Sequence, residues 1–258
     1  MGEDDGFAAV VAGWVDRGLA RPWTDTFAVA GPDGIERTTS GPLRYGTGAG
    51  LRGLVTDLAA GLDVRLERPV GHVGADRTVD GDPARAVVLA MPDPQAVRLL
   101  DPVAEVAGSL APAGWQPTLA VAIGFTERCW PADLHGVFVH DSPVLDWVAD
   151  DGDRRGDGAA VLVAHTTPGF AAEHLPEPDR AVPAVLAAVQ TLLGRSAEPA
   201  WTHAHRWTFA KPSAAREVPF ALADGIGLCG DGWAAPSKVA SAWRSGDALG
   251  RALADATA

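Results

Sequence analysis

Residues 86–91 read AVVLAM, a continuous apolar run stopped by Pro92. A run of this length without alternation predicts a strand buried on both faces, at the centre of a parallel layer. Pro94 to Leu100 restarts as a helix, with proline near its first turn. Upstream, Asp80-Gly81-Asp82-Pro83 is turn-rich, and Asp63–Leu66 and Val70–Val73 read as short strands. Earlier still, 50–60 (GLRGLVTDLAA) is a helix closed by Gly61, and Trp23 to Val29 is a strand entering a hairpin at Gly31-Pro32-Asp33-Gly34. Residues 6–19 place Phe7, Val10, Val11, Trp14 and Val15 at helical spacing before Gly18. Downstream, 118–125, 136–140 and 159–165 are further strands, with Asp150–Gly158 (DDGDRRGDG) a solvated loop by its charge and glycine content. Residues 181–193 form a helix, and 238–254 form an amphipathic one with Val239, Ala242, Trp243, Leu249 and Leu253 towards one side. The order of elements implies a mixed α/β chain that crosses between two layers more than once.

Composition bounds the function. The 258 residues make one large domain or two intimately shared ones, and 47% apolar with 21% charged residues excludes bulk disorder. A net charge of −12 argues against broad nucleic-acid or anionic-membrane binding. Asn is absent, Lys occurs only at 211 and 238, and Ala, Gly, Pro, Arg and Asp abound. GC-rich codons produce that bias, so a bacterial source is expected. Cys129 and Cys229 lie in no metal or redox spacing and read as buried thiols. The acidic start MGEDDGF does not resemble a signal peptide, and no apolar stretch approaches the ~20 residues that span a bilayer. A soluble, cytoplasmic protein is expected.

Three blocks carry a resemblance: AVVLAMPDPQAVRLL (86–100), HAHRWTFAKP (203–212) and IGLCGDGWAAPSKVASAW (226–243). FAAVVAGWVDRGLARPW, the Tyr45–Leu58 stretch, DSPVLDWVADD and AHTTPGFAAEHL follow in the same order. Together they resemble the renalase-like branch of the flavin-dependent amine-oxidase superfamily. The resemblance implies an FAD-binding Rossmann-like layer interleaved with a substrate domain on an antiparallel sheet. It also implies a small-molecule donor, an amine or a nicotinamide-like compound, passing hydride to flavin N5 and thence to oxygen. On this pattern Val70 lies against adenine, and Ala90, Met91 and Pro92 pass the ribityl and adenosine side. Gly230 and Asp231 approach the ribityl–pyrophosphate portion. Val239 to Trp243, Ala242 among them, opens a helix whose N-terminus points at the ring.

The chain departs from the pattern in several places. The strand–GxGxxG–helix unit that cradles the pyrophosphate is not in this sequence, so the Rossmann-like layer is expected to be incomplete and FAD to bind weakly to this chain alone. Gly46, Gly48 and Gly50 in YGTGAGL read as a loop entering a helix, not as its replacement. Ala240-Ser241 stands where Glu-Gly is usual, so a Cβ at 241 is expected to crowd the ring, and Gly230 to Lys238 is one residue longer than usual. Thr208 and Phe209 replace the usual Arg and Tyr.

Outside the resemblance, His203-Ala204-His205 places two imidazoles on one strand face, where Asp224 or Asp231 would complete a metal site; a structural role is the alternative, and no metal is assigned. No GxSxG occurs, and Ser142 sits in a turn. His140 and His165 end predicted strands, where an imidazole moves protons near neutral pH; with His205 and Trp207 they are the catalytic candidates. Trp201, Trp207 and Trp233 are expected to form an aromatic wall for a flat ligand, against core packing as the alternative.

The division expected is 1–50 substrate part, 51–101 residual FAD-type layer, 102–213 substrate domain and 214–258 return to the FAD-type layer with the C-terminal helix. Three functions stand open: a flavin-dependent oxidoreductase, a cofactor-free enzyme reusing the substrate cavity for acid–base chemistry, and a non-catalytic binding or accessory subunit. A parallel sheet lacking its first unit exposes several hundred Å² of apolar surface, worth on the order of 10 kcal/mol. A homodimer, or a chain supplying the missing unit, is therefore expected.

Overall fold

A computed structural model describes residues 5–214, 216–233 and 236–257. In chain order the first elements are α1 (Asp5–Asp16), β1 (Arg21–Gly31), β2 (Gly34–Gly46), α2 (Leu51–Leu58), β3 (Thr78–Val79), β4 (Asp82–Pro83), β5 (Val87–Ala90) and α3 (Asp93–Leu99). There follow β6 (Trp115–Gly124), β7 (Gly136–Val139), β8 (Leu145–Asp150), α4 (Asp151–Arg155), β9 (Val161–Thr166), α5 (Pro168–His174) and α6 (Val182–Leu193). The chain closes with β10 (Trp201–Pro212), β11 (Ala221–Ala223), β12 (Ile226–Cys229) and α7 (Val239–Thr257). It divides into two compact units, Met1–Leu62 with Pro117–Thr208 and Asp63–Gln116 with Phe209–Ala258. The mixed α/β class is the one expected from sequence.

The first unit is built on a seven-stranded sheet in the order β10-β6-β9-β8-β7-β1-β2. β1 with β2, β6 with β9, β7 with β8 and β8 with β9 pair antiparallel, whereas β1 with β7 is parallel, Ala28 beside Val137 and Ala30 beside Val139. The Gly31–Gly34 hairpin forms as expected, with Gly34 at φ 108° in the region that favours glycine. Strand alternation gives this sheet two unlike faces. One carries Ala28, Ala30, Val121, Ile123, Val137, Val148, Leu162 and Ala164 and packs on Val185 and Val189 of α6. Each aliphatic side chain so buried contributes about 1.5–3 kcal/mol. The C-cap Gly194, in the left-handed conformation, ends α6.

The second unit holds a three-stranded sheet, β11-β12-β5, in which β12 pairs with β5 in parallel, Ile226 beside Val87 and Cys229 beside Ala90. β12 is buried at all four residues. β5 is a strand as predicted, but not a central one. It lies at the sheet edge, with only Leu89 buried and Val88 44% exposed. An apolar run is the signature of two covered faces, and here one edge and part of one face stand open. Asp63–Leu66 and Val70–Val73 are likewise not strands; Val73 makes only isolated bridges to Val79 and Leu100, because the hydrogen bonds of Val73 are taken by Leu99 and Asp101.

The loop expected over Asp150–Gly158 is instead a structured hub. Asp150 caps α4 by accepting from Asp153 N (2.9 Å). Its fully buried carboxylate also accepts from Trp130 Nε1 (2.6 Å) and pairs with Arg128 (2.5 Å). Asp153 accepts from Trp23 Nε1 (2.6 Å) and bonds His135 Nδ1 (2.7 Å). Asp151, also buried, pairs with Arg154 and Arg155. Paired charge, not solvation, accounts for this acidic stretch. α7 buries Leu249 as expected, but the rest of its inward stripe differs from the one expected. Ser241, Ser245 and Leu249 face inward while Val239 is exposed, because the two hydroxyls donate to Pro236 O and Pro219 O (2.6 Å each).

Two outcomes follow. Asp150→Ala leaves the Arg128 charge and the Trp130 indole unpaired and lowers stability by about 3–5 kcal/mol, read from urea midpoints. For Asp153, partial burial raises the carboxyl, but hydrogen bonds from His135 and Trp23 and the charges of His135 and Arg21 outweigh it, so its pKa lies below the ordinary 3.8. A depressed folded pKa contributes stability fully above 3.8 and loses it as pH falls through the lower folded value. Urea midpoints measured from pH 7 down to pH about 2.5 should therefore fall less steeply in Asp153→Asn, below pH 3.8, than in the parent.

Candidate functional site

In the second unit, the parallel pairing of β5 and β12 sets the carboxyl ends of two strands side by side. Ala90-Met91-Pro92 leaves one and Gly230-Asp231 leaves the other, each turning directly into helix: α3 after Pro92, and a short 3-10 turn, Asp231–Trp233, after Gly230. Carboxyl ends of parallel strands are where open α/β sheets bind ligands. Gly230 has φ 143°, and a Cβ built there would meet nothing within 4 Å, so the backbone can be approached closely. Its own N–H is already taken by Ser245 Oγ (2.9 Å). Asp231 accepts from Ser237 Oγ (2.5 Å), which ties this turn to the segment entering α7.

The turn after β12 rests on a buried ion pair. Asp93, 1% exposed at the start of α3, pairs with Arg216 and accepts from Ala111 N (2.7 Å). The Arg216 guanidinium lies 3.9 Å from the Trp233 ring centroid and donates to Gly232 O (3.3 Å). A cavity of about 410 Å³ opens beside it, lined by Glu105, Val106, Ser109, Phe220 and Trp233 among others.

The expected cofactor residues thus all lie in this unit: Ala90, Met91, Pro92, Gly230 and Asp231 at the strand ends, Val239 and Ala242 in the first turns of α7, and Val70 packed on the core that contains Leu89 and Leu228. Trp233 is in that core, 3% exposed, and reaches the cavity of about 410 Å³ only at its edge. Ser241 is fully buried, and its hydroxyl folds back onto Pro236 O. The expected extra residue between Gly230 and Lys238 falls in a stretch whose residues 234 and 235 lie outside those described. Gly46 ends β2, the edge strand, and Gly48 and Gly50 lie in the loop that leads into α2.

The catalytic candidates lie in the first unit. His165 is half-buried on β9, and His205 and Trp207 are exposed on β10. Leu162, Ala164, Val121, Ile123 and Ala204 face the α6 side. Alternation therefore puts His165, His205 and Trp207 together on the opposite face of the sheet. β6 lies between their strands and offers Ala120, the register partner of His165, and Ala122 there. Trp147, register partner of His165, and Phe138 share this face, their rings 4.7 Å apart, with Phe27 4.6 Å from Trp147. Sequence reasoning missed Phe138 and Trp147, although alternation in GVFVH and LDWVAD carried the signal. His140 is exposed beyond the end of β7. The cavity of this unit, about 400 Å³ and lined by Arg128, Cys129, Trp130, Pro131 and Arg195, involves none of these histidines. Trp201 and Trp207 are about half exposed on β10 in the first unit, and Trp233 is buried in the core of the second.

Asp224 and Asp231 belong to the other unit from His203 and His205, and among the described residues no three His, Cys, Asp or Glu converge on a metal position. Both cysteines are free; burial raises both thiols, Cys229 being the buried one. Among the described residues no helix is long and apolar enough to cross a membrane.

Comparison with known proteins places these features. Three solved structures share the fold. A protein named as a protoporphyrinogen oxidase from Exiguobacterium sp. 255-15 is 22% identical with a TM-score of 0.59, over 82% of this chain and 52% of its own. Putrescine oxidase bound to putrescine is 19% identical with a TM-score of 0.56, over 80% and 51%. Cyclohexylamine oxidase from Brevibacterium oxydans IH-35A is 16% identical with a TM-score of 0.59, over 79% and 51%. The chain therefore spans about half the length of these structures. The description "flavin containing amine oxidoreductase" matches residues 27–248, most of the chain, and the protein belongs to that family.

Proposed function

We propose that this protein is the substrate-side and flavin-facing part of an FAD-dependent oxidoreductase of renalase type, acting in the cytoplasm on a small amine or nicotinamide-like donor. The observation that carries this reading is the parallel pairing of β5 with β12, which brings Met91-Pro92 and Gly230-Asp231 to one end of a sheet within a family of flavin enzymes. When bound, the flavin supplies a two-electron acceptor for hydride. Ala90, Met91, Pro92, Gly230 and Asp231 would line its ribityl side, Val70 its adenine side, and Val239 and Ala242 its ring. The residues fit in part. The open space at Gly230 admits close backbone approach, and the first-turn N–H groups of α7 favour negative charge. The buried Ser241 takes the space nearest the helix start that a glycine would leave free.

The residues of this chain have separable tasks in this reading. His165 and His205, on the open face of the seven-stranded sheet, take up and release the donor's proton, and Trp207 packs a flat substrate against them. Trp147 and Phe138 exclude water beside His165. The pyrophosphate needs a glycine turn between a buried strand and a helix, and Gly46, Gly48 and Gly50 do not supply it. The open edge of β5 is where a further strand pairs, from a polypeptide carrying that turn or from a second copy that covers Val88.

FAD titrated into the purified chain, followed by tryptophan emission, should give a weak saturable isotherm, weakened at least tenfold in Gly230→Val. An isotherm that Gly230→Val leaves unchanged removes the site from the β12 end. Near-stoichiometric flavin co-purifying with the chain overturns the incomplete cradle, and a monomer by light scattering overturns pairing between copies.

A further inference from the structure

β10 carries the sequence Trp201-Thr202-His203-Ala204-His205-Arg206-Trp207 along one edge of the seven-stranded sheet. Ala204 packs on the core shared with α6, and Arg206 reaches back to Leu175 O (2.8 Å), so the even positions belong to the helix side. Alternation sends His203 and His205 out on the other side, where both are exposed and neither makes a hydrogen bond or ion pair to another described residue. Trp201 and Trp207, about half exposed, flank them, and the His205 and Trp207 rings lie 4.5 Å apart.

We infer that His203 and His205 form a two-imidazole site for a divalent d-block cation, Cu²⁺ foremost. Side chains two apart on an extended strand stand on one face at a separation that one metal ion bridges. Imidazole nitrogens suit copper, nickel and zinc, and copper binds tightest in the Irving–Williams order. Zinc sites take three or four protein ligands, and here no third joins the pair among the described residues. A tetragonal ion fits better, with two cis imidazoles and water in its remaining positions. The site shares His205 and Trp207 with the proposed substrate face, but its test reads metal binding alone, so its failure and that of the flavin reading are distinguishable.

The test is Cu²⁺ titrated as its chloride into the full chain in a non-coordinating buffer, read by tryptophan emission and electron paramagnetic resonance. One equivalent should bind, quench Trp207, and give a tetragonal signal with coupling to two nitrogens. His203→Ala and His205→Ala, at exposed positions where far-ultraviolet dichroism should be unchanged, should each weaken binding about tenfold or more. His140→Ala, at another exposed imidazole, should leave it unchanged. Ni²⁺ should compete more weakly, and Zn²⁺ more weakly than Cu²⁺. Binding that survives both β10 variants, coupling to a single nitrogen, or affinity equal to that of the variants overturns the pair and leaves only adventitious copper on the surface.

Discussion

The pairing of four residues of β5 with four of β12 is the constraint from which the second unit takes its form. Neither strand is long, and they are separated by most of the chain, yet their parallel register fixes where two turns emerge. Leu89, Ile226 and Leu228 supply the apolar burial that holds them, with Val73, Leu100 and Trp233 closing the same core. Parallel ladders gain little per residue from hydrogen bonds alone, so this one depends on what packs around it. That dependence explains why Asp93 and Arg216 lie buried beside it. The ion pair spans the start of α3 and the segment before β11, and its guanidinium also covers Trp233.

Buried carboxylates have the same role in the first unit. Asp150 ends β8 with an arginine, an indole N–H and a backbone N–H around it, and both of its carboxylate oxygens have a donor. Such a group is costly to desolvate and more costly to leave half-satisfied, which makes it a specifier of one arrangement. Both units of an acidic protein thus spend a negative charge in their interior on defining where a turn begins.

The elements were legible where local chemistry decides them. Phe7 to Val15 with Gly18, the Gly31–Gly34 turn, and the 181–193 helix all form near where periodicity and glycine place them. The apolar run at 86–91 identified a strand but not its place in the sheet, since an edge strand with one buried residue and a central strand share the same letters. DDGDRRGDG misled because charge density predicts solvation only when partners are unknown, and those partners, Trp23, Arg128, Trp130 and His135, are distant in sequence. At the candidate site, the strand-end glycine and Pro92 could be read from motif. The inward turn of Ser241 and Ser245 could not, because it depends on carbonyls of Pro236 and Pro219 that only the fold presents. Likewise the sheet face that gathers His165, His205 and Trp207 appears only once strand order is known.

The interleaving of the units has a consequence for how the chain is made. β5 leaves the ribosome about 135 residues before β12, its only ladder partner among the described strands. At roughly 5–20 residues per second, that is on the order of ten seconds in which Val87, Val88 and Leu89 have no sheet to join. The first unit completes its own sheet during that interval, since β6 to β10 are all translated before β12. Nascent chains of this protein therefore pass through a stage with one unit assembled and the other holding an exposed apolar segment, which is prone to aggregate. A stop codon or cleavage anywhere between 213 and 225 would leave that stage permanent.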